Sequence, residues 1–153
     1  MKDQQPDFAG GNPAGDRHPS LRTTVYRMFT PWSPPEVVCW FRYSARDPLA
    51  VGIDLVPVEG TAATWVVGRD LLDAGTREPS GEGDFRVWPD PVRRGSGRGL
   101  YFSLDRPDGQ ATFEADLAEV RRWLDSTYAM VPAGCEGGLL DWAAVEAIRL
   151  GAD

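Results

Sequence analysis

The sequence predicts an α+β domain, with six or seven antiparallel strands followed by two C-terminal helices. Three observations carry this. Apolar residues alternate with a period of two in several short runs ahead of residue 113. Turns rich in Pro, Gly and Asp separate those runs. Beyond residue 113 the apolar spacing changes to three and four, the period of a helix.

The first predicted strand runs from Leu21 to Phe29, rich in β-branched and aromatic residues and closed by Thr30-Pro31. Pro31, Pro34 and Pro35 then break the chain, because a central strand cannot lose ladder N–H groups. Glu36 to Tyr43 is the next strand, with Val37, Cys39, Phe41 and Tyr43 on one face and Val38, Trp40 and Arg42 on the other. After the Asp47-Pro48 turn, Leu49, Val51, Ile53 and Leu55 alternate with Ala50, Gly52, Asp54 and Val56. Thr64 to Val67 follows the Glu59-Gly60 turn, and Gly68 to Leu72 reads as a single helical turn leading into Gly75. The loop from Pro79 to Asp84 feeds a short strand at Phe85 to Trp88. A second loop, Pro89 to Gly99, holds Arg93, Arg94 and Arg98 among glycines. Leu100 to Leu104 and Gln110 to Phe113 flank Arg106-Pro107-Asp108-Gly109, where Pro and Gly stand where a hairpin turn wants them. Phe113, Leu117, Val120, Leu124 and Tyr128 then form one helical face, which Pro132 ends. Leu139, Trp142, Val145 and Ile148 make the stripe of a second helix beyond Gly134 to Gly138.

The 153 residues suffice for one domain with a real core, placed at residues 21–150 behind a disordered leader of residues 1–20. That leader offers one phenylalanine, Phe8, among Gly, Pro, Asp and Gln, too little apolar surface to offset ordering entropy. The net charge is −7, split as +1 over residues 1–35 and −8 over the rest, which argues against a broad grip on nucleic acid or anionic lipid. No apolar core of a signal peptide follows Met1-Lys2, and no stretch approaches 18 continuous apolar residues. A cytoplasmic protein with no membrane insertion is the expectation. Cys39 and Cys135 are far apart, fit no metal or redox spacing, and read as small hydrophobes.

The sequence predicts no enzyme and no cofactor. The one histidine, His18, sits in the leader, where no third group can orient it as a catalytic base. One His and two distant Cys cannot close a zinc site. Glu82 and Asp84, beside Arg86, are the best spaced carboxylate pair, but their glycine-rich loop lacks the apolar setting that raises a working pKa. Gly95-Ser96-Gly97-Arg98-Gly99 lies between strands, not ahead of a helix, and so fails as a phosphate loop. Trp40-Phe41-Arg42-Tyr43 and Arg86-Val87-Trp88 have the look of base-stacking strands, with Arg93, Arg94 and Arg98 near phosphate. The acidic balance and the lack of a basic stripe weigh against that use.

Four segments carry a family resemblance. They are Phe41-Arg42-Tyr43 with Arg46-Asp47-Pro48-Leu49-Ala50-Val51, then Thr64 to Leu72, then Gly81-Glu82-Gly83-Asp84-Phe85-Arg86-Val87, then Trp123 to Thr127 with Val131 to Glu136. In this order and spacing, over roughly residues 23–150, the chain resembles the SsgA-like proteins of actinomycetes. It departs from the family pattern at Leu49, where an aromatic is usual, and at Trp142, where an aspartate is usual. The resemblance implies a non-enzymatic regulator of sporulation and cell division. It also implies a Whirly-like fold, a homotrimer, a place at division septa, and partners such as the division protein FtsZ or a related SsgA-like protein. Asp47, Arg69, Glu82, Asp84 and Arg86 lie in its motifs without an evident core role, so they are the candidate partner-binding residues. Trp40 and Val38, apolar on the second face of their strand, point independently to a subunit interface. The alternative reading is a single-stranded nucleic-acid-binding sheet.

Overall fold

The computed structural model describes residues 18–29, 36–90, 98–107 and 109–139. Among them lie the strands β1 (Ser20–Arg27), β2 (Glu36–Arg42), β3 (Ala50–Pro57) and β4 (Ala63–Gly68). The helix α1 (Arg69–Gly75) comes next, followed by β5 (Phe85–Pro89), β6 (Gly99–Arg106), β7 (Gly109–Asp116) and α2 (Leu117–Met130). The strands form one seven-stranded sheet in the order β4-β3-β2-β1-β7-β6-β5. Every neighbouring pair is antiparallel.

The period of two sorts each strand into an inner and an outer face. Val25, Cys39, Phe41, Val51, Ile53, Val87, Leu100 and Phe102 turn inward and are fully buried. The Phe102 ring stacks on Phe113 at 5.5 Å and meets Phe41 edge-on at 6.3 Å, so β6, β7 and β2 share one core. The sheet curls until its two edge strands approach. Near one end of the gap, α1 lies against β5, with Gly75 pressed on Val87. At the other end, the Arg106 guanidinium of β6 sits over the Trp65 ring of β4 at 5.6 Å. Helix α2 covers the core at the α1 end, where Trp123 packs on Phe41 at 5.7 Å. Arg121 Nη1 ties α2 to α1 by donating to Thr76 Oγ1 at 2.9 Å.

The strand count agrees with expectation, and so does the β6–β7 hairpin, whose Arg106↔Gly109 pair closes it. Three differences have physical causes. Phe113 belongs to β7, opposite Phe102, and not to the helix: its spacing to Leu117 continues the helical period across an element boundary only by coincidence. The boundary is set by Asp116, whose carboxylate accepts the Glu119 N–H at 3.1 Å. Asp116→Ala is expected to cost about 1 kcal/mol, read as a lower urea midpoint. Helix α1 has two turns where one was expected, because the contacts of Arg69 and Gly75 with the core hold both ends. Finally, β1 begins at Ser20, one residue ahead of the predicted strand, because Ser20 already pairs with Arg42 and the Pro19 carbonyl accepts the Tyr43 N–H. The rest of the predicted leader and most of the predicted second helix lie outside the described residues, the last described element being the 3-10 turn Glu136–Leu139.

Candidate functional site

Arg69, a candidate partner-binding residue without an evident core role in the sequence, is fully buried. As the first residue of α1, it donates its backbone N–H to Leu49 O at 2.8 Å, which fixes the strand-to-helix turn. Its guanidinium then runs between two rings, with Tyr43 at 4.8 Å and Tyr128 at 3.9 Å. Nη1 donates to Thr127 O at 3.0 Å and Nη2 to Glu136 Oε2 at 2.8 Å, while Nε has no partner. Aromatic faces stabilise a desolvated cation, and one carboxylate balances its charge. Arg69 is therefore a positioning residue that pins α1, β2, α2 and the turn after α2 together.

The neighbours respond to it. Burial pushes the Tyr128 hydroxyl up to about 12, with the nearby Asp73 adding to the effect. Burial likewise raises Tyr43, whose hydroxyl donates to Pro48 O at 2.9 Å. The hydrogen bond from Arg69 holds Glu136 below its ordinary value. A carboxylate depressed in the folded state contributes stability above its ordinary value of 4.5, and that stability is lost as pH falls through the folded value. On the outer face, burial alone would raise Asp54, but hydrogen bonds from Arg42 and Thr64 win and lower it. Both shifts have the same sign. Thermal stability is expected to be flat at neutral pH and to fall below about pH 4.5, less steeply in Glu136→Gln.

The other four predicted residues are exposed, and the fold does not bring them together. Asp47 lies in the β2–β3 turn, at the Arg69 end of the sheet, where its N–H donates to Ser44 O at 3.0 Å. Glu82 and Asp84 belong to the loop entering β5, at the opposite end, and Arg86 is the second residue of β5 itself. That loop is held at its base by Ser80 and Val87, which exchange backbone hydrogen bonds at 2.9 and 3.0 Å. The Asp84 carbonyl accepts the Asp105 N–H at 2.9 Å. Gly81 has φ +97°, and a Cβ there would stand 2.4 Å from Phe85 O, so only glycine fits. Among the described residues, Glu82, Asp84 and Arg86 form no ion pair. Two charged side chains therefore project from a rigid turn and a third from the strand it enters.

The outer face of β1–β4 is mixed. Trp40 is half-buried, with the Arg22 guanidinium 5.9 Å from its ring centre. Arg42 reaches across to Asp54 at 2.7 and 2.9 Å, and Thr64 donates to the same carboxylate at 2.8 Å. On the same face, Val66 is 67% exposed, Tyr26 44% and Val56 41%. At the end of the sheet away from α2, a cavity of about 440 Å³ opens over Val37, Leu55, Trp65, Leu104 and Phe113, with Arg27 and Arg106 among its lining residues. No group of His, Cys, Asp and Glu fit to hold a metal occurs among the described residues.

The comparison with known families settles where this architecture belongs. The model of the Streptomyces sporulation and cell division protein SsgA matches residues 37–136. The chain belongs to the SsgA family. A sporulation-specific cell division protein SsgB of Frankia casuarinae is 35% identical over 127 residues, covering 82% of this chain and 87% of its own. The SsgB of Streptomyces coelicolor is 38% identical over 96 residues, 62% of this chain and 68% of its own. The crystal structure of an SsgA-like sporulation-specific cell division protein from Thermobifida fusca superposes with a TM-score of 0.75 at 29% identity, over 89% of this chain and 98% of that one. A solved structure concerning SsgB mutations and longitudinal division in sporulating Streptomyces coelicolor gives 0.74 at 30% identity, over 84% and 99%.

The SsgA-family match ends on Glu136, the carboxylate that neutralises Arg69, so the buried latch lies inside the shared unit. Its partners Tyr43, Thr127 and Tyr128 were missed in the sequence as ligands of Arg69. The available signal was Glu136 itself, which closes the fourth family-like segment. No helix among the described residues is long and apolar enough to cross a membrane.

Proposed function

We propose that this SsgA-family chain is a non-enzymatic regulator of sporulation-specific cell division, acting at septa through protein–protein contacts, with partners such as FtsZ or a related SsgA-like protein, that help localise the septum and FtsZ machinery. One observation carries the reading: the clamped loop at Gly81–Asp84 and the start of β5 present Glu82, Asp84 and Arg86 to solvent without ion-pair partners among the described residues, held by glycine geometry. Rigid, uncompensated charges set partner choice and association rate at little ordering cost. Asp47 presents a further carboxylate at the opposite end. Self-association, a trimer by family resemblance, uses the apolar outer face around Val38, Trp40 and Val56 in this proposal.

Glu82→Lys is the direct test. Its melting temperature is expected to match that of the parent, a surface change of within about 0.5 kcal/mol. Nuclease-resistant capture of division proteins, and fluorescence at sporulation septa, are expected to drop. Full recruitment by Glu82→Lys would remove the loop from the partner surface. Capture of nucleic acid alone would favour the Whirly-like, single-strand-binding alternative. Two arginines once assigned to that use are otherwise engaged: Arg42 is paired with Asp54, and Arg98 donates to the Asp90 carbonyl at 2.7 and 3.0 Å. Arg93 and Arg94 lie outside the described residues.

A further inference from the structure

We propose that the free edge of β4 docks an extended peptide segment of a partner, apolar at its centre and basic at both ends, which joins the sheet as an eighth strand. Strand β4 ends the sheet order and pairs only with β3, over an unbroken six-residue register from Leu55↔Ala63 to Ala50↔Gly68. Among the described residues, no backbone partner meets the groups of Ala63–Gly68 that turn away from β3. The opposite edge is treated differently, since Ser80 bridges the outer side of β5 at Val87.

An open edge is a template for another strand, and proteins usually guard it with Lys, Pro, a bulge or a cover. The strand itself carries none of the sequence guards, and what stands across the gap is α1 at one end and the Arg106 guanidinium over Trp65 at the other. Ala63-Thr64-Trp65-Val66-Val67-Gly68 contains no charge and no proline, its ladder has no bulge, and Val66 leaves 67% of its surface in water. Along the chain, what flanks the edge is acidic, and the nearby cations Arg27 and Arg106 line the cavity on its inner side. Residues 47–68 hold Asp47, Asp54 and Glu59 but no Lys or Arg. Asp54 is neutralised by Arg42, whereas Glu59 stands exposed at one end of β4 and Asp70 at the other. An incoming strand of about six residues spans the roughly 20 Å between those ends. Its β-branched side chains would pair beside Val66, and its terminal Lys or Arg would meet Glu59 and Asp70. On the inner side it would extend the wall formed by Ala63 and Trp65 beside the cavity.

This inference rests on the partner-binding reading above and names a surface for it distinct from the Glu82 loop. The test uses the full chain and an end-capped peptide of the order Arg-Val-Thr-Val-Thr-Val-Arg, followed by fluorescence anisotropy and by amide exchange. Micromolar binding at low salt is expected, with exchange slowed across residues 63–68 and affinity falling as salt rises. Val66→Lys, which restores a guard on an exposed position, is expected to weaken binding at least about tenfold at unchanged melting temperature. Glu59→Lys with Asp70→Lys keeps the edge and is expected to abolish the salt dependence. Absence of binding up to about 1 mM peptide, or undiminished binding by Val66→Lys, overturns the proposal. So does concentration-dependent protection of residues 63–68 in the chain alone, which would assign the edge to a second copy. Septal recruitment intact in a chain that ignores the peptide would sink this inference and leave the proposed function standing. Peptide binding by a chain with no role in septation would do the reverse.

Discussion

Arg69→Ala is expected to lower the unfolding free energy by about 3–5 kcal/mol, the usual cost of removing one partner of a buried pair. Domains of this size hold only about 5–15 kcal/mol in total, so a sizeable unfolded fraction should appear at moderate temperature. The guanidinium does several things that alanine cannot. It is a second donor to the buried Thr127 carbonyl, which also accepts the Val131 N–H, and a hydrogen bond with a charged partner is worth about 1.5–3 kcal/mol. It fills the slot between Tyr43 and Tyr128, where a desolvated cation–π contact is worth about 2 kcal/mol. The ion pair itself matters less, because the Glu136 side chain keeps 14% of its surface in water and can be rehydrated. Arg69→Lys is expected to lose most of the same stability, since one ammonium cannot serve Thr127 and Glu136 from a fork and stack flat on a ring. Glu136→Gln, which keeps an acceptor for Nη2, should cost least. Urea unfolding followed by far-ultraviolet circular dichroism orders the three. If Glu136→Gln costs as much as Arg69→Ala, the energy lies in charge pairing and not in the aromatic cradle and the Thr127 bond.

That residue also shows how far the sequence could be read. The seven strands were legible because alternation is local: Val37, Cys39, Phe41 and Tyr43 announce their face without reference to anything distant. The second turn of α1 was not, because seven residues carry too little period to separate a helix from a turn. Phe113 misled for a related reason, as a strand end and a helix start can share one spacing. Arg69 showed no evident core role because its burial is made by segments remote in the chain, with Thr127 and Glu136 lying 58 and 67 residues away. Glu82 and Asp84 were legible as an exposed turn, since glycines and charges in sequence report solvent directly. The open edge of β4 was hidden. Strand order depends on β1 joining β7, a pairing between residues such as Tyr26 and Glu114 that no local pattern encodes.

Gly75→Ala is expected to destabilise the fold by about 2 kcal/mol, although alanine is the better helix former. Removing a helical glycine ordinarily gains about 0.5–1 kcal/mol. Here the added methyl would stand 2.2 Å from Val87 Cγ1, 2.7 Å from Cγ2 and 2.9 Å from Cβ. Val87 cannot step aside, because its β-branched χ1 is stiff, its side chain is fully buried, and its backbone is pinned by Ser80 on one side and Phe102 on the other. Helix α1 must therefore move away from β5, and overpacking of this kind outweighs the propensity gain. Val87→Ala opens the space, so the double variant Gly75→Ala/Val87→Ala is expected to lose less than the sum of its parts by about 1–2 kcal/mol. The displacement also reaches the other end of α1, where Arg69 begins the helix. If α1 moves as a rigid unit, Gly75→Ala should loosen the Arg69–Glu136 bond and let the Glu136 carboxyl rise toward its ordinary value, a shift visible by NMR titration. A purely additive double variant with Glu136 unmoved would mean that the helix yields locally at Gly75. The closure of the barrel and the Arg69 latch would then be independent devices.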